Sequence, residues 1–113
     1  MTKQDIEIDW EQLHELSGHD AAFEQELLQL FIEDSLAQLT HLQQAWSQEN
    51  FPGMRRIAHH IKGASANVGA VQISQSAAQI ELAARDAVKA SIQVPLEELT
   101  RSLHRLQHYL ENQ

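Results

Sequence analysis

The sequence predicts an all-α fold, an antiparallel four-helix bundle with a short additional N-terminal helix. Three observations lead there. Apolar residues recur at three- and four-residue steps nearly throughout. No useful length alternates apolar with polar residues, and only two prolines and four glycines punctuate 113 residues. With 42% apolar residues, a chain of this length can bury one core. Residues 1–113 therefore read as a single domain, with about residues 1–8 a loose segment ahead of the first helix.

Each helix has its start and stop. Asp9 is placed to cap a short helix over Trp10 to Leu16, which Ser17-Gly18 ends. Asp20 caps the second, which runs to about Gln48 with an apolar stripe read as Phe23, Leu27, Leu30, Phe31, Leu42 and Trp46. Asp34 falls on that stripe, either paired with a basic residue or at the bundle's open end, a capping or packing role with no chemistry assigned, and Leu36 falls outside it, exposed. Asn50-Phe51-Pro52-Gly53 marks a turn in which Asn50 is the cap and Pro52 is tolerated in the first helical turn. The third helix ends near Val68, where Gly69 suits the left-handed C-terminal position. The fourth, about Ala70 to Asp86, aligns Ile73, Ala77, Ile80 and Ala84, small enough for a neighbouring helix to come close. Ala87 to Val94 reads as a loop, and Pro95 opens the last helix. There Leu96, Leu99, Leu103, Leu106 and Leu110 form a seam close to heptad spacing. Four such helices joined by short connections bury best as a bundle, with the short first helix over one end.

Composition narrows the function. Sixteen acids against eight bases give a net charge of −8, a poor match to nucleic acid, whose phosphates need basic neutralisation. The absence of cysteine excludes disulfides and thiolate metal sites. The N-terminus, MTKQDIEIDW, lacks the basic start and apolar stretch of a signal peptide. No apolar run approaches the roughly 20 residues that cross a bilayer. A soluble, cytoplasmic monomer is expected. Against the acidic background, Arg55, Arg56 and Lys62 cluster around a His-His pair.

On a helical wheel at about 100° per residue, with Ile57 at zero, Met54, Ile61, Ala64 and Val68 define the buried arc of the third helix. His59 falls at about 200° and Ala66 at about 180°. Arg55 falls at about 160°, Lys62 at about 140° and Gly63 at about 240°. A mid-helix histidine thus points to solvent among cations and small residues. A neutral imidazole carries a free lone pair that can attack phosphorus without a base to activate it. Lys62, one turn on, is placed to neutralise phosphoryl oxygens. Gly63 and Ala66 remove bulk beside the ring, and an interior glycine costs about 1 kcal/mol against alanine, a cost accepted where a partner must come close. His60, at about 300°, lies toward the edge of the buried arc as a structural or rim residue.

Ala58-His59-His60-Ile61-Lys62-Gly63 resembles the A-H-x-L-K-G signature of histidine phosphotransfer (HPt) domains, and Ala64 to Ala70 resembles its continuation. Ile80-Glu81 with Ala84-Arg85 resembles the family's L-E-x-x-A-R segment, and Leu27 to Asp34 its second helix. The likeness covers roughly Ile8 to Leu110. Departures are Ile61 for leucine, and Pro52-Gly53 where ordinary helix formers are usual, with Gly53 able to loosen the helix start. The resemblance implies that His59, and not His60, accepts the phosphoryl group. It implies receiver domains of response regulators or hybrid histidine kinases as partners, with Mg²⁺ carried by the receiver and no cofactor on this chain. Glu81, at the flank of the fourth helix, has two open readings. It either accepts a hydrogen bond from the non-reacting nitrogen of His59, fixing the tautomer, or pairs with Arg85 at i+4.

Other histidines carry less. His104 and His108 stand at metal-chelating i, i+4 spacing, but no acid lies between them on their stripe, so they read as solvated. His14, His19 and His41 read as surface or rim residues. No nucleotide-binding or kinase motif is present, so no self-phosphorylation is expected. The expected function is a phosphorelay intermediate that takes a phosphoryl group on His59 from one receiver aspartate and passes it to another. Arg55, Ala66 and Phe23 are the expected docking residues. The alternative is a module that docks receivers without transfer.

Overall fold

The computed structural model of the chain describes Lys3 and residues 6–113. Its helices are α1 (Trp10–Leu16), α2 (Ala21–Ser47), α3 (Phe51–Val68), α4 (Val71–Arg85) and α5 (Gln93–Glu111), with a 3₁₀ turn, Lys89–Ser91, ahead of the last. Helices α2 to α5 form the bundle, in which α3 packs most extensively on α4. The molecule measures 41 × 23 × 20 Å. The 27 residues of α2 rise about 40 Å at about 1.5 Å each, so that helix alone sets the long axis.

The three side-chain caps read from sequence all form. Asp9 accepts from Gln12 N at 3.1 Å, Asp20 from Phe23 N at 3.0 Å and Asn50 from Gly53 N at 3.0 Å, each worth about 1 kcal/mol. Gly53 does not loosen its helix. A β-carbon there would stand 2.5 Å from Asn50 Nδ2, so glycine is what lets this cap close. α5 begins two residues before Pro95, which occupies the first turn, where its missing N–H is not needed. The expected loop before it tightens into the 3₁₀ turn over the fully buried Ile92.

Two readings of the apolar faces are corrected. The buried side of α2 is Leu28, Phe31, Ile32, Ser35, Leu39, Leu42 and Ala45. Phe23 and Leu30 are 45% and 65% exposed, Asp34 is exposed as well, and Leu36 packs half-buried against the core. Two apolar stripes share this helix. Phe23, Leu30 and Asp34 lie within about 40° of one another and opposite Leu28, and only the Leu28 stripe faces the bundle. On α3 the buried arc includes Ala58 and Ser65, with Ile57 and Ala64 at its half-buried margin.

The segment before α1 is not loose where it is described. Ile6 and Ile8 are buried, Ile8 forms an isolated antiparallel bridge with Ala70, and Asp9 N donates to Gly69 O at 2.8 Å. Residues 1, 2, 4 and 5 of that expectation lie outside the described residues. Gly69 takes the predicted left-handed conformation, φ 79°, and Ala70 N returns to Ser65 O at 2.8 Å, the six-to-one bond of a Schellman turn. Gln12 Nε2 adds bonds of 2.7 and 3.3 Å to the carbonyls of Ala66 and Asn67. The strap satisfies the end of α3 and fixes where α4 begins. A β-carbon on Gly69 would lie 2.9 Å from Asp9 O. Gly69→Ala is therefore expected to lose more than about 1 kcal/mol, through strain and contact together. Urea unfolding checks it, and an unchanged midpoint would show that the strap does not depend on this turn.

Candidate functional site

The site follows from the close pairing of α3 with α4. Behind His59, Ala58 is fully buried, while 69% of the His59 side chain is exposed. Its Nδ1 lies 2.7 Å from Glu81 Oε2. A carboxylate can only accept, so Nδ1 carries the hydrogen, and in the neutral ring Nε2 is then the nitrogen with the lone pair. Glu81, 19% exposed, accepts with its second oxygen from Lys62 Nζ at 2.5 Å. One carboxylate on α4 thus holds two side chains of α3. The Lys62 ammonium beside it keeps the Glu81 carboxyl below the usual glutamate range; partial burial opposes this, and the His59 hydrogen bond reinforces it. Ser74 Oγ donates to the Lys62 carbonyl at 3.3 Å, a second tie between the two helices at this level.

Of the two readings of Glu81, the pairing along α4 is not formed. Arg85 donates instead to Asp86, at 3.1 Å from its Nε. Lys62, read from the sequence as placed to neutralise phosphoryl oxygens, is engaged by the carboxylate opposite. Helix periodicity fixes which way a side chain points but not what a neighbouring helix brings opposite it. Asp34, expected on a buried stripe, is exposed and 2.8 Å from His60 Nε2. His60, read at the edge of the buried arc, is instead exposed, with 52% of its side chain accessible, and the pair links α2 to α3 beside the reactive face. His14 is not solitary either. Its Nδ1 lies 2.5 Å from Glu24 Oε2, tying α1 to α2. His104 and His108 are exposed on α5.

Around Gly63 a β-carbon would meet nothing within 4 Å, so no packing within the chain requires a glycine. Ala66 is exposed, about 10 Å along α3 from His59 at about 1.5 Å per residue. Phe23 stands 11 residues before Asp34 on α2, about 16 Å from the level of the His60 contact. Arg55 does reach the histidine's surroundings. An open groove of about 770 Å³ runs between α3 and α4, lined by His59, Glu81, Arg55, Arg56, Arg85 and the Phe51-Pro52 end of α3. The sequence alone does not assign Arg56 and Arg85 to this groove. The clustering of Arg55 and Arg56 near His59 was the available signal, whereas Arg85 stood out only inside the second matching segment.

A helical bundle with an exposed, carboxylate-oriented histidine has the form of a phosphocarrier module. The Hpt domain family model matches residues 26–111, and the chain belongs to that family, whose role is histidine phosphotransfer in phosphorelays. Among solved structures it is similar to histidine-containing phosphotransfer protein B of Pseudomonas aeruginosa PAO1, with TM-score 0.86 and 24% identity over 94% of this chain and 92% of that one. It is also similar to the HPT domain of a Shewanella sensor hybrid histidine kinase, with TM-score 0.73 and 20% identity over 94% and 95% of the two chains. At these identities the likeness is one of fold. No curated protein matches. No helix among the described residues is long and apolar enough to cross a membrane.

The lowered Glu81 carboxyl has a consequence for stability. A carboxylate depressed on folding stabilises the protein above its unfolded value of about 4.3, and that contribution is lost as pH falls through the lower folded value. Glu81→Gln is therefore expected to be less stable than wild type near neutrality, and the two stabilities to converge at acid pH. Urea unfolding at a series of pH values checks this; a gap that stays constant into the acid range would contradict it.

Proposed function

We propose that this chain is a phosphorelay intermediate that accepts a phosphoryl group on His59 Nε2 from a receiver-domain aspartate and passes it to the aspartate of another receiver. The observation that carries the reading is the Nδ1–Glu81 hydrogen bond, which leaves Nε2 as the outward nucleophile. In the forward step the Nε2 lone pair attacks phosphorus in line, the N–P bond forms, and the acyl P–O bond breaks to release the aspartate carboxylate. No proton has to leave the ring. The Nδ1 hydrogen stays in its bond to Glu81, which stabilises the positive charge developing on the imidazole. Lys62 holds Glu81 in place and lends its charge to a phosphoryl group arriving at the same face. The reverse sequence delivers the group to the next receiver. The Mg²⁺ of each step is assigned to the receiver, and the chain itself neither binds nucleotide nor phosphorylates itself.

The docking face extends from His59 past Gly63 and Ala66 to the outward side of α2. A standard interface covers about 800 Å² per partner, a patch roughly 30 Å across, so Phe23 falls within it despite its distance from the ring. Leu30, exposed between the two levels, joins it. Receiver docking in a cytoplasmic, monomeric chain completes the reading.

Incubation with phosphorylated receivers is expected to label wild type at an acid-labile site and to leave His59→Gln unlabelled. Acid-stable label, or label retained by His59→Gln, would require another acceptor, and docking without any label would mark a module that only binds. Gly63→Leu separates docking from folding. It is expected to keep or slightly raise thermal stability, since leucine is the better helix former by somewhat under about 1 kcal/mol. Receiver-dependent labelling should nevertheless fall at least about tenfold through a side chain placed in the interface. Labelling at the wild-type rate would remove Gly63 from the docking face.

A further inference from the structure

We propose that Arg55 and Arg56 select among receiver domains, favouring those that carry carboxylate side chains beside the mouth of the phosphorylated site. The inference rests on the phosphotransfer reading above and adds a chemical requirement on the partner. Four cations surround His59, and the structure divides them into two pairs. Lys62 is bound to Glu81 and Arg85 to Asp86. Arg55 and Arg56 are exposed, and neither has a carboxylate partner among the described residues. They are the uncompensated charges of this surface.

Their positions follow from the helix. They precede His59 by about one turn, and on the wheel they fall about 40° to one side of it and about 60° to the other. The outward direction of the ring is thus straddled by two guanidiniums on its N-terminal side. Both line the groove that also contains His59, and its roughly 770 Å³ is too wide and open to cage a single ion. Side chains from a protein surface fit it. In a chain of net charge −8, an acidic partner is repelled at long range, so a local pair of free guanidiniums decides whether such a partner can seat. The planar fork of arginine matches a carboxylate with two parallel hydrogen bonds. Charges at an interface rim act on encounter and partner choice more than on the chemical step. Arg55 and Arg56 are thereby specificity residues rather than catalytic ones.

The experiment follows transfer from a panel of phosphorylated receivers to wild type, to Arg55→Glu/Arg56→Glu and to Arg55→Lys/Arg56→Lys, with thermal unfolding as the check on folding. Phosphoramidate serves as a small donor that needs no docking. For receivers with carboxylates on the rim outside the phosphorylated, Mg²⁺-binding pocket, the glutamate pair is expected to raise KM at least about tenfold at low salt, with a smaller change in the rate at saturation. The gap should narrow at about 0.5 M salt as the screening length shortens, and the lysine pair should recover part of the loss. Labelling by phosphoramidate should fall much less than labelling by receiver. Equal KM values across the three proteins, or a KM increase shared by receivers without acidic residues there, would overturn the proposal. So would a parallel fall with phosphoramidate, which would place the arginines on the phosphoryl group itself. Should wild type take label from phosphoramidate but from no receiver, the phosphotransfer reading fails, and this proposal with it.

Discussion

The Glu81 carboxylate, shared between His59 Nδ1 at 2.7 Å and Lys62 Nζ at 2.5 Å, is the interaction on which the site depends. It requires α3 and α4 to lie close and in one register. The buried face of α4 supplies the closeness with Ser76, Ala77, Ala83 and Ala84 beside its two isoleucines. The turn at Gly69 supplies the register, because its left-handed residue and the strap from Asp9 determine how many residues separate the end of one helix from the start of the next. Ser74, bonded to the Lys62 carbonyl, repeats that alignment one contact away from the carboxylate. Displacing α4 by one residue would rotate Glu81 by about 100° and remove both bonds together.

Much of this is legible in the residues, and the boundary of what is legible has a physical cause. Caps and stops depend on neighbours three or four residues apart, so Asp9, Asp20, Asn50 and Gly69 announce four helix ends. The outward direction of His59 likewise depends on one helix alone, since Met54, Ile61 and Val68 fix which side of α3 is buried. Lys62 and Asp34 have partners on other helices, and their pairings depend on an inter-helix register that periodicity does not contain. The N-terminal strap escapes a sequence reading for a similar reason. Ile6 and Ile8 form no helical pattern; Ile8 bridges Ala70 at the α3–α4 turn, and both isoleucines are buried beside Ile73 and Leu106.

The second stripe of α2 does not serve the core. Leu28, Phe31, Ile32, Ser35, Leu39 and Leu42 form a stripe sufficient to bury the helix, yet Phe23 and Leu30 add apolar surface on the opposite side. Burying a leucine or phenylalanine side chain is worth about 1.5–3 kcal/mol, most of it unrealised where Leu30 is 65% exposed. An apolar excess on one helix is ambiguous between core and contact surface when the wheel is read alone. Once the bundle assigns the core, what remains is exposed apolar surface, Phe23 and Leu30, next to the exposed part of α3.

Gly63 leads to the same conclusion from the opposite direction. Glycine inside a helix is disfavoured by its backbone freedom, and it is normally found where a β-carbon would collide or where φ is positive. Gly69 has both reasons. Gly63 has neither, standing in regular helix with open space where its side chain would be. The chain therefore carries a local cost at Gly63 and an unrealised gain at Leu30, and neither serves the isolated fold. Both are offset if a partner closes on α3 and α2 together, one contributing clearance and the other apolar contact. The proposed receiver, whose aspartate must bring its phosphoryl group within bonding distance of His59 Nε2, places that same demand on backbone clearance beside the ring.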